Sequence, residues 1–479
     1  MGWLKWLFLG FDIILALFSA GHALLYKRNP RAAFGWIALC LTFPLAGPLL
    51  YFIFGINRIN TRARELHGKK IFALPAGYER LRHESKALLA DFNLPDDYFV
   101  PAGISHVLAG NPLTRGNRVE PLFNGEEAYP AMLEAIDSAS ERVYLSTYIF
   151  ESDKTGNTFI DALAGATARG VDVRVLIDGF GEWYSLPRSG SGLRKKGVGF
   201  FRYLPPTFLP PFLHINLRNH RKLLVADGKV AFTGGMNIRD RHLEGESNRR
   251  KCTTDIHFKL VGSVVNQLEQ AFLKDWDFAS GGAGGKPAPF HYKELSGNAL
   301  CRTILDGPDE DIDKLIMIFI SSIATARKKI TILTPYFLPP RELIGALQAA
   351  ALRGVDVTLV LPEKNNHLIV HWAMRNMLWE LVQWGVEVCY QPPPFAHGKL
   401  FLVDDHYLQI GSANFDARSL RLNFELMVEV YDEKLARKLA GYVEERRLLS
   451  RKLSLEELDG RALPVRLRDA LCWLFSPYL

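Results

Sequence analysis

The sequence is poor in cysteine and has no cysteine pattern. Its 479 residues include five cysteines, at positions 40, 252, 301, 389 and 472, and none is part of a C-x-x-C pair. An odd number of scattered thiols argues against the disulfide framework of a small secreted domain and against a thiolate zinc site. A reducing compartment is the simpler setting for this chain.

A strong charge of one sign is also missing. The 58 Lys and Arg residues exceed the 51 Asp and Glu residues by a net charge of +7. This mild excess fits a nucleic-acid binder, a protein at an anionic membrane surface, or neither. No acidic cluster has the spacing of a divalent-metal site, and no metal or other cofactor is expected.

Two stretches near the N-terminus contain almost no charged residues. Residues 6–26 are apolar apart from one aspartate and one histidine, and residues 32–54 carry no charge. Either stretch is long enough to span a hydrocarbon core of about 30 Å. A signal peptide is the alternative for the first stretch, which is long for one, contains an acid and leads into a second apolar run. Pro44 and Pro48 would kink the second stretch, as in a bent span or a re-entrant hairpin.

The basic residues around these stretches predict their orientation. Lys5 precedes the first stretch, and the connecting loop offers Lys27, Arg28 and Arg31. A larger set follows the second stretch: Arg58, Arg62, Arg64, Lys69 and Lys70. The positive-inside rule then places both ends in the cytoplasm. We expect a multi-pass protein of the cell inner (cytoplasmic) membrane, with two transmembrane helices in residues 1–60 and a basic membrane-proximal linker in residues 61–115.

The rest of the chain is duplicated. The segment ARGVDVRVLID (168–178) recurs as LRGVDVTLVLP (352–362), in which a helix ends at a glycine and an apolar strand begins. The preceding strands also match, as VYLSTYIF (143–150) and ITILTPYF (330–337). Each half therefore alternates strand, helix and strand, which indicates an α/β fold with a mixed sheet flanked by helices.

The duplication sets the predicted domain boundaries. Glycine and proline are concentrated between the halves, in ASGGAGGKPAPF (279–290), as in a flexible connection. We expect a first lobe in residues 116–280, a linker in residues 281–290, and a second lobe with a membrane-proximal C-terminal tail in residues 291–479.

A polar motif recurs at the same place in both halves. NHRKLLVADGKVAFTGGMN (219–237) and HGKLFLVDDHYLQIGSANF (397–415) share the pattern H-x-K-x4-D-x6-G-x2-N. A single H-x-K would be weak, but two copies in a duplicated chain are a specific signal. Alternation along a strand would put each histidine on the same face as its lysine. The repeated residues are His220, Lys222, Asp227 and Asn237 in the first copy, and His397, Lys399, Asp404 and Asn414 in the second.

On these residues the sequence resembles the phospholipase D superfamily, and within it the bacterial cardiolipin synthases. The resemblance to the superfamily covers roughly residues 116–450. The paired N-terminal apolar stretches, LRNHRKLLVADG (217–228) and GSANFDARSLRLNFE (411–425) extend it to the synthases. It implies two similar phospholipase D-like lobes that share one active site.

Two histidines suit chemistry at a phosphodiester. A neutral histidine attacks phosphorus to form a phosphoryl-histidine, while a second histidine protonates the leaving oxygen. Two facing lobes would supply one histidine each. The resemblance implies that His220 is the nucleophile and His397 the acid, although one sequence does not decide between them.

The remaining signature residues are expected to support these histidines. Lys222 and Lys399 would supply cations, and Asn237 and Asn414 amide donors, to the charge on phosphorus. The resemblance implies that Asp227 and Asp404 hold the fold of the site more than they touch substrate. Ser412, which replaces Gly235 of the first copy, gives the second site a hydroxyl for substrate.

A carboxylate on the other ring nitrogen would help each histidine to move protons. Glu425 follows the second motif in NFELMVEV, and Asp255 occupies the matching strand TTDIHFKL of the first half. The resemblance supports both as orienting carboxylates. The alternative for Asp255 is an ordinary acid at a strand edge.

Two apolar segments are candidates for contact with lipid. The prolines of LPPTFLPPFLHINLRNH (204–220) disfavour regular structure, yet Phe208, Leu209, Phe212 and Leu213 are strongly apolar. The segment is either a lipid-facing loop beside the first motif or an internal packing loop. The C-terminal LCWLFSPYL (471–479) is a second candidate.

The leading prediction is an integral-membrane phosphatidyltransferase. It would transfer the phosphatidyl group of one phosphatidylglycerol to the glycerol hydroxyl of another, at a bilayer that contains anionic phospholipids. Water as acceptor would make it a phospholipase, and phosphatidylethanolamine would be a different lipid acceptor. A nuclease is disfavoured by the apolar spans, so no nucleic-acid partner is expected. An inactive scaffold is disfavoured by the intact motifs. The oligomeric state is not predicted.

Overall fold

The computed structural model describes residues 2–27, 30–55, 89, 96–208, 211–212, 216–245, 252–282, 296–308, 313–477 and 479. The basic residues from Arg58 to Lys70, and residues 283–290 of the predicted linker, lie outside these ranges. The chain divides into two compact units, Met1–Lys69 and Lys70–Leu479.

The N-terminal unit contains one long helix followed by shorter ones. Gly2–Tyr26 is continuous, and its segment Trp6–Tyr26 is long and apolar enough to cross a membrane. The second apolar stretch is divided into Pro30–Thr42, Ala46–Leu50 and a π-helical turn, Tyr51–Gly55. Pro44 lies in the first break, where its missing N–H and its ring prevent the helix from continuing. Among the described residues one helix, and not the expected pair, has the length of a span.

The strands of the second unit follow the predicted repeat. In the first lobe they are β1 (Thr114–Phe123), β2 (Arg142–Thr147), β3 (Asp172–Asp178), β4 (Gly199–Tyr203), β5 (Thr207–Phe208), β6 (Pro211–Phe212), β7 (Leu223–Ala226), β8 (Val230–Gly234), β9 (Thr253–Thr254) and β10 (Ile256–Val261). In the second lobe they are β11 (Ala299–Asp306), β12 (Lys329–Leu333), β13 (Phe337–Leu338), β14 (Asp356–Pro362), β15 (Glu387–Gln391), β16 (Phe395–Ala396), β17 (Leu400–Val403), β18 (Tyr407–Gly411), β19 (Phe415–Asp416), β20 (Glu425–Tyr431) and β21 (Arg451–Lys452).

Most of these strands form one mixed sheet of fifteen strands. From the centre outwards, the first lobe has the order β1-β10-β8-β7-β2-β3-β4 and the second lobe the order β11-β20-β18-β17-β12-β14-β15-β21. The halves meet where β1 pairs antiparallel with β11. The predicted mixed α/β lobes are therefore confirmed, and the duplicated strands occupy equivalent positions in one continuous sheet.

Helices cover the sheet and enclose a core in each lobe. The longer helices of this unit are Phe99–Ala109, Asn124–Ser138, Lys154–Ala168, Val264–Ser280, Lys314–Thr325, Arg341–Leu352, Leu368–Met377, Glu433–Leu448 and Leu463–Trp473. The shorter ones are Ser189–Lys195, Trp379–Val382, Ala417–Arg421 and Leu455–Asp459, with 3-10 turns at Asp96–Tyr98, Gly181–Tyr184 and Asp240–His242. The first-lobe core includes Phe159, Leu163 and Phe232, and the second-lobe core includes Phe319 and Phe401.

Two sequence predictions need correction here. The predicted linker extends over residues 61–115, but helix Phe99–Ala109 belongs to the folded body, because Tyr98 and Ala102 are buried in the core of the second lobe. The proline-rich segment does contain regular structure, since Thr207–Phe208 and Pro211–Phe212 pair as a short antiparallel ladder. Residues 209, 210 and 213–215 of that segment are outside the described ranges.

Candidate active site

The motif histidines lie just before strands and not on them. Strand β7 begins at Leu223, after His220 and Lys222, and β17 begins at Leu400, after Lys399. The prediction that each histidine lies on a strand is therefore wrong, because each strand begins after the histidine and lysine of its motif. Each motif approaches the sheet as an extended segment that is held by the opposite lobe.

Backbone hydrogen bonds connect each motif histidine to the opposite lobe. The N–H of His220 donates to the carbonyl of Phe424 at 2.9 Å, next to Glu425. The N–H of His397 donates to the carbonyl of Thr254 at 2.7 Å, next to Asp255, where β16 pairs in parallel with β9. Each histidine is thus fixed beside a carboxylate of the other lobe.

The side chains complete two crossed histidine–carboxylate pairs. His220 Nδ1 lies 3.0 and 3.1 Å from the two carboxylate oxygens of Glu425. His397 Nδ1 lies 2.7 Å from Asp255 Oδ2. When Nδ1 donates to the carboxylate, the Nε2 atom of each ring carries the lone pair. The carboxylate side chains are fully buried, whereas the imidazoles are 12% and 9% exposed.

The charges of the two motifs act on a common site. Burial lowers the pKa of His220, with Lys222 and Lys399 adding to the effect against the opposing influence of Glu425. Burial also holds the pKa of His397 well below its ordinary value, reinforced by Lys399, Lys222 and His220. Both shifts favour the neutral form of the imidazole. Because each motif shifts a histidine of the other, the two copies form one centre.

The two lysines lie against the histidines. Lys222 Nζ donates to the His220 carbonyl oxygen at 2.6 Å and lies 5.4 Å from the centre of the Tyr148 ring. Lys399 Nζ donates to the His397 carbonyl oxygen at 2.5 Å and lies 3.1 and 3.2 Å from the ring nitrogens. Burial lowers the pKa of Lys222 to about 7 and that of Lys399 to about 8. An anion bound beside either lysine would therefore stabilise its charged form.

Comparison with known proteins assigns the family. A family described as "Cardiolipin synthase, PLD-like domain" matches residues 132–276 and 319–447, once in each lobe. The major cardiolipin synthase ClsA of Bacillus subtilis (strain 168) is 31% identical over 98% of this chain and 99% of that protein. A cardiolipin synthase of Listeria welshimeri serovar 6b is 31% identical over the full length of both chains. The chain belongs to the cardiolipin synthase family.

Two further matches concern the N-terminus and the fold. A family described as phospholipase D-nuclease N-terminal matches residues 14–55. The crystal structure of phosphatidylserine synthase from Haemophilus influenzae Rd KW20 has a TM-score of 0.61 and 18% identity, and covers 79% of this chain and 100% of that one. At this identity the second likeness supports the fold of the cardiolipin synthase-family body.

In this cardiolipin synthase-family chain, Ser412 is placed differently from the prediction. Its fully buried hydroxyl donates to Glu425 Oε2 at 2.5 Å. It therefore supports the carboxylate and does not face the substrate position. Against the opposing effect of burial, His220, Lys222 and Ser412 keep the pKa of Glu425 below its ordinary value.

Gly235, the counterpart of Ser412, has no room for a side chain. A Cβ atom there would lie 2.3 Å from Asp255 Oδ1. The shorter Asp255 thus packs against a glycine, and the longer Glu425 against a serine. Burial raises the pKa of Asp255, with Lys399 as the largest opposing influence. The two histidines therefore have carboxylates of unequal acidity.

The two asparagines are buried at the site in different hydrogen-bonding states. Asn237 accepts the backbone N–H of Ile149 through Oδ1 at 3.1 Å. Asn414 donates from Nδ2 to Ser419 Oγ at 3.2 Å, and its Oδ1 has no partner among the described residues. The contact with Ile149 ties Asn237 to the segment that carries Tyr148. Substrate binding by the asparagines stays a prediction.

Asp227 and Asp404 cap backbone groups and do not contact the histidines. Asp227 accepts N–H groups of residues 140–142 at 2.8–3.0 Å, and Asp404 accepts those of residues 327–329 at 2.8–3.1 Å. Both lie at positive φ, 52° and 51°, in the turn after the motif strand. Both therefore hold backbone groups beside the motif, which is the role that the resemblance implies, and neither is placed for a catalytic role.

Sequence reasoning missed the aromatic residues around the histidines. The ring of Tyr148 lies 5.2 Å from that of His220, and the ring of Tyr336 lies 6.4 Å from that of His397. The repeated strands held a partial signal, because each has a tyrosine near its end, at the sixth position of VYLSTYIF and at the seventh of ITILTPYF. His242, 6.3 Å from His397 between ring centres, had no such signal.

A buried polar network around His220 was also missed. Arg221 donates to Asp275 at 2.5 Å and to the carbonyl of Glu425 at 3.1 Å, and Asn219 donates to Asp275 at 3.0 Å. The second motif has Ala396 and Gly398 at the corresponding places. The network therefore braces the first histidine only. The sequence already shows this difference, since the first motif reads LRNHRK where the second reads PFAHGK.

Among the described residues, no group of three His, Cys, Asp or Glu side chains is placed to hold a metal ion. The groups gathered at the site are instead two neutral imidazoles, two buried carboxylates and two ammonium groups. This set can supply a nucleophile, an acid and fixed positive charge to a phosphodiester of this cardiolipin synthase-family protein.

Proposed function

We propose that the protein is a cardiolipin synthase that transfers a phosphatidyl group between two phosphatidylglycerol molecules. The observation that carries the proposal is the crossed arrangement of His220 with Glu425 and His397 with Asp255. Membership of the family supports the substrate class. Both relatives above are named for this activity and match the chain over nearly its whole length.

In the first half-reaction, His220 Nε2 attacks the phosphorus of one phosphatidylglycerol. A P–N bond forms while the P–O bond to the headgroup glycerol breaks. Binding of the phosphodiester anion favours protonation of His397, which gives that proton to the leaving glycerol oxygen. The products are free glycerol and a phosphatidyl-histidine, whose positive charge is stabilised by ionised Glu425.

In the second half-reaction, the free glycerol hydroxyl of another phosphatidylglycerol attacks phosphorus. Neutral His397 takes the hydroxyl proton, the new P–O bond forms, and the P–N bond to His220 breaks. Cardiolipin is released and both histidines return to their starting states. Water in place of this hydroxyl would give phosphatidic acid, so exclusion of water decides between synthase and lipid hydrolase.

Fixed cations stabilise the five-coordinate phosphorus in both steps. Lys222 and Lys399 are buried and held by backbone carbonyls, so they need little reorganisation when the negative charge grows. Removal of one such donor commonly costs about 3 to 4 kcal/mol of transition-state stabilisation. The scheme needs no metal ion or other cofactor.

The proposed location is the cytoplasmic membrane, with the lobes on the cytoplasmic side. The apolar helix Trp6–Tyr26 supports attachment to the membrane. The C-terminal helix Leu463–Trp473 supports a second contact with the membrane. Its residues Leu463, Leu467 and Leu471 are 60–65% exposed and lie four residues apart. On its other side the carboxylate of Asp469 is fully buried, so this stripe is held outwards.

The test is incubation of the purified full-length chain with phosphatidylglycerol labelled in its phosphate, followed by separation of the lipid products. Labelled cardiolipin and free glycerol are the expected products. His220→Asn should abolish product and His397→Asn should leave a slow first step. A brief incubation quenched without acid should place the label on His220. Label on His397 alone would reverse the two roles, and phosphatidic acid as the sole product would replace the synthase by a hydrolase.

A further inference from the structure

A cavity outside the two-histidine site is lined by arginines. Its volume is about 320 Å³, at the lower end of ligand-binding pockets. It lies in the first lobe between the end of β3, the 3-10 turn Gly181–Tyr184 and helix Ser189–Lys195. Its walls include Glu182, Trp183, Arg188, Arg194, Arg202 and Pro205.

The cavity has an excess of positive charge. Arg202 bonds the carboxylate of Glu182 at 2.5 and 3.0 Å, which neutralises one guanidinium. Among the described residues, neither Arg188 nor Arg194 forms an ion pair or a side-chain hydrogen bond. Two guanidinium groups with ten N–H donors between them are therefore left for a ligand.

The guanidinium groups of the cavity pack against aromatic rings. Arg188 lies 5.2 Å from the ring centre of Trp183, and Arg194 and Arg202 lie 5.7 and 5.0 Å from that of Phe200. For Arg188 and Arg194, cation–π contacts of this kind restrict the side chains and leave their charge uncompensated. The cavity therefore combines partly ordered donors with a net charge of the sign that a phosphodiester requires.

The wall of the cavity is joined to the catalytic histidine. Buried Asp178 accepts N–H groups from Phe180, Gly181 and Asn219, all at 2.9 Å, and Asn219 directly precedes His220. A Cβ atom on Gly181 would lie 1.8 Å from the carbonyl oxygen of Tyr148, so the turn packs closely against the segment whose tyrosine contacts His220.

Exposed apolar side chains lie on the same turn and just after it. Trp183 is 39% exposed, Tyr184 is 51% exposed and Leu186 is 88% exposed. Aromatic and aliphatic groups beside arginines are typical of the headgroup layer of a membrane, where acyl chains and phosphates meet. A free phosphate ion would use the arginines but not these apolar groups.

We propose that this cavity binds the phosphodiester of the second phosphatidylglycerol, the acceptor, while the first occupies the two-histidine site. The inference rests on the proposed function and adds to it the place of the acceptor lipid. Arg188 and Arg194 hold the acceptor phosphate, and its glycerol is directed towards the phosphatidyl-histidine. Occupancy by this lipid also keeps water from the intermediate.

The test measures how the intermediate divides between two fates. The full chain in detergent is loaded with labelled phosphatidylglycerol in a single turnover, unlabelled phosphatidylglycerol is added, and labelled cardiolipin is compared with labelled phosphatidic acid. In Arg188→Gln/Arg194→Gln the ratio of cardiolipin to phosphatidic acid should fall about tenfold or more, because two charge-assisted contacts are lost. Formation of the phosphatidyl-histidine should be unchanged.

A matched control removes two charges elsewhere. Lys195 lies on the same helix as Arg194 without lining the cavity, and Lys438 lies on helix Glu433–Leu448; both are exposed. Lys195→Gln/Lys438→Gln should keep the wild-type ratio, and Arg188→Lys/Arg194→Lys should recover part of it. An equal ratio in the glutamine variant and the control would overturn the acceptor site.

Inorganic phosphate distinguishes the source of the ligand. If the cavity binds lipid, short-chain phosphatidylglycerol should restore cardiolipin formation to the glutamine variant only at raised concentration, and inorganic phosphate should compete weakly with it in the wild type. Equal competition by the two would make the cavity a free-phosphate site and overturn the lipid assignment. A wild-type protein that forms phosphatidyl-histidine but never cardiolipin would instead contradict the proposed function.

Discussion

The two histidines of the site differ most at the residues behind their carboxylates. Glu425 receives a hydrogen bond from Ser412, whereas Asp255 packs against Gly235. The pKa of Glu425 is lowered and that of Asp255 is raised. An ionised carboxylate suits a nucleophile that becomes a phosphorylated cation, because it stabilises that cation. This asymmetry supports His220 as the nucleophile.

A single added hydroxymethyl group should disturb one pair only. In Gly235→Ser the new Cβ would displace Asp255 from His397, so kcat should fall at least about 100-fold, as for a misplaced catalytic group. Ser412→Ala removes one hydrogen bond to a charged group and should lower kcat about tenfold. Steady-state cardiolipin synthesis with the full chain in detergent measures both.

The melting temperature is the control for this pair of variants. Both should unfold within a few degrees of the wild type, so that lost activity reports on the site. Equal losses in the two variants would contradict the packing difference between Asp255 and Glu425.

The lysines predict a fall in activity on the alkaline side. Burial lowers the pKa of Lys222 to about 7 and of Lys399 to about 8, so the cations are lost as pH rises through these values. The pH profile of kcat/KM reports the free enzyme and should decline above about pH 7. In Lys222→Arg the guanidinium stays charged, and the decline should begin nearer the value of Lys399. An unchanged profile in this variant would show that Lys222 is not the titrating group.

At the scale of secondary-structure elements, one aspartate in each lobe fixes the strand next to the motif. Asp227 gathers three backbone N–H groups at the start of β2, and Asp404 does the same at β12. These carboxylates give the N–H groups a fixed acceptor in place of water, since several of the capped residues are exposed. The motif aspartate thus connects the strand after each histidine to its neighbour in the sheet.

Replacement of this cap should affect stability more than chemistry. Asp227→Asn should reduce the free energy of unfolding by about 1 to 2 kcal/mol, the usual size of a lost charged cap. Backbone N–H groups from Arg142, Ser140 and Glu141 lower the pKa of Asp227, although its burial opposes them. The stabilisation is therefore fully present above the ordinary pKa of an aspartate, about 3.9, and is lost as pH falls through the lower folded value. Melting temperatures across this range measure it, and a gap between wild type and variant that stays constant below pH 4 would contradict the role of the ionised carboxylate.

The exposed leucine stripe of helix Leu463–Trp473 predicts a dependence on the bilayer. Leu467→Glu/Leu471→Glu should weaken activity on phosphatidylglycerol vesicles by roughly tenfold or more, because charges would enter the apolar layer. Activity on soluble short-chain phosphatidylglycerol should be unchanged. Arg437→Glu, at an exposed position of the preceding long helix, is the matched control. Equal losses on both substrates would assign the stripe to folding.

At the scale of the whole molecule, neither lobe contains a complete catalytic pair. His220 depends on Glu425, 205 residues further along the chain, and His397 depends on Asp255, 142 residues before it. The continuous sheet through β1 and β11 joins the lobes that exchange these partners. Duplication thus produced one site by mutual contribution.

Crossing of the pairs predicts which step each carboxylate controls. Glu425→Gln should slow labelling of His220 in a single turnover about 100-fold or more, because loss of an orienting carboxylate leaves the wrong tautomer. Asp255→Asn should act through His397, so labelling slows less when the leaving group is a good one such as p-nitrophenol. If Asp255→Asn disabled labelling of His220 and Glu425→Gln did not, the pairing of His220 with Glu425 and of His397 with Asp255 would be refuted.

Much of the fold followed from local sequence patterns. Repeated glycines after helices and repeated apolar runs predicted β3 and β14 and their helices, because side-chain period and turn chemistry are local properties. The paired motifs likewise picked out the two histidines and the two lysines that lie together in the structure. The break in the second apolar stretch was visible as Pro44, but its effect on helix length was not decided by composition alone.

The partners of these residues were decided by tertiary structure. Sequence order placed Asp255 and Glu425 after their own motifs, yet each contacts the histidine of the other lobe, because pairing across the lobes depends on how the two halves of the sheet meet. The role of Ser412 and the arginine cavity depend in the same way on groups distant in the chain. The sequence by itself determined which chemical groups are present and the elements that carry them; only the tertiary structure decided which group faces which, since burial, hydrogen bonding and charge all act through space and not along the chain.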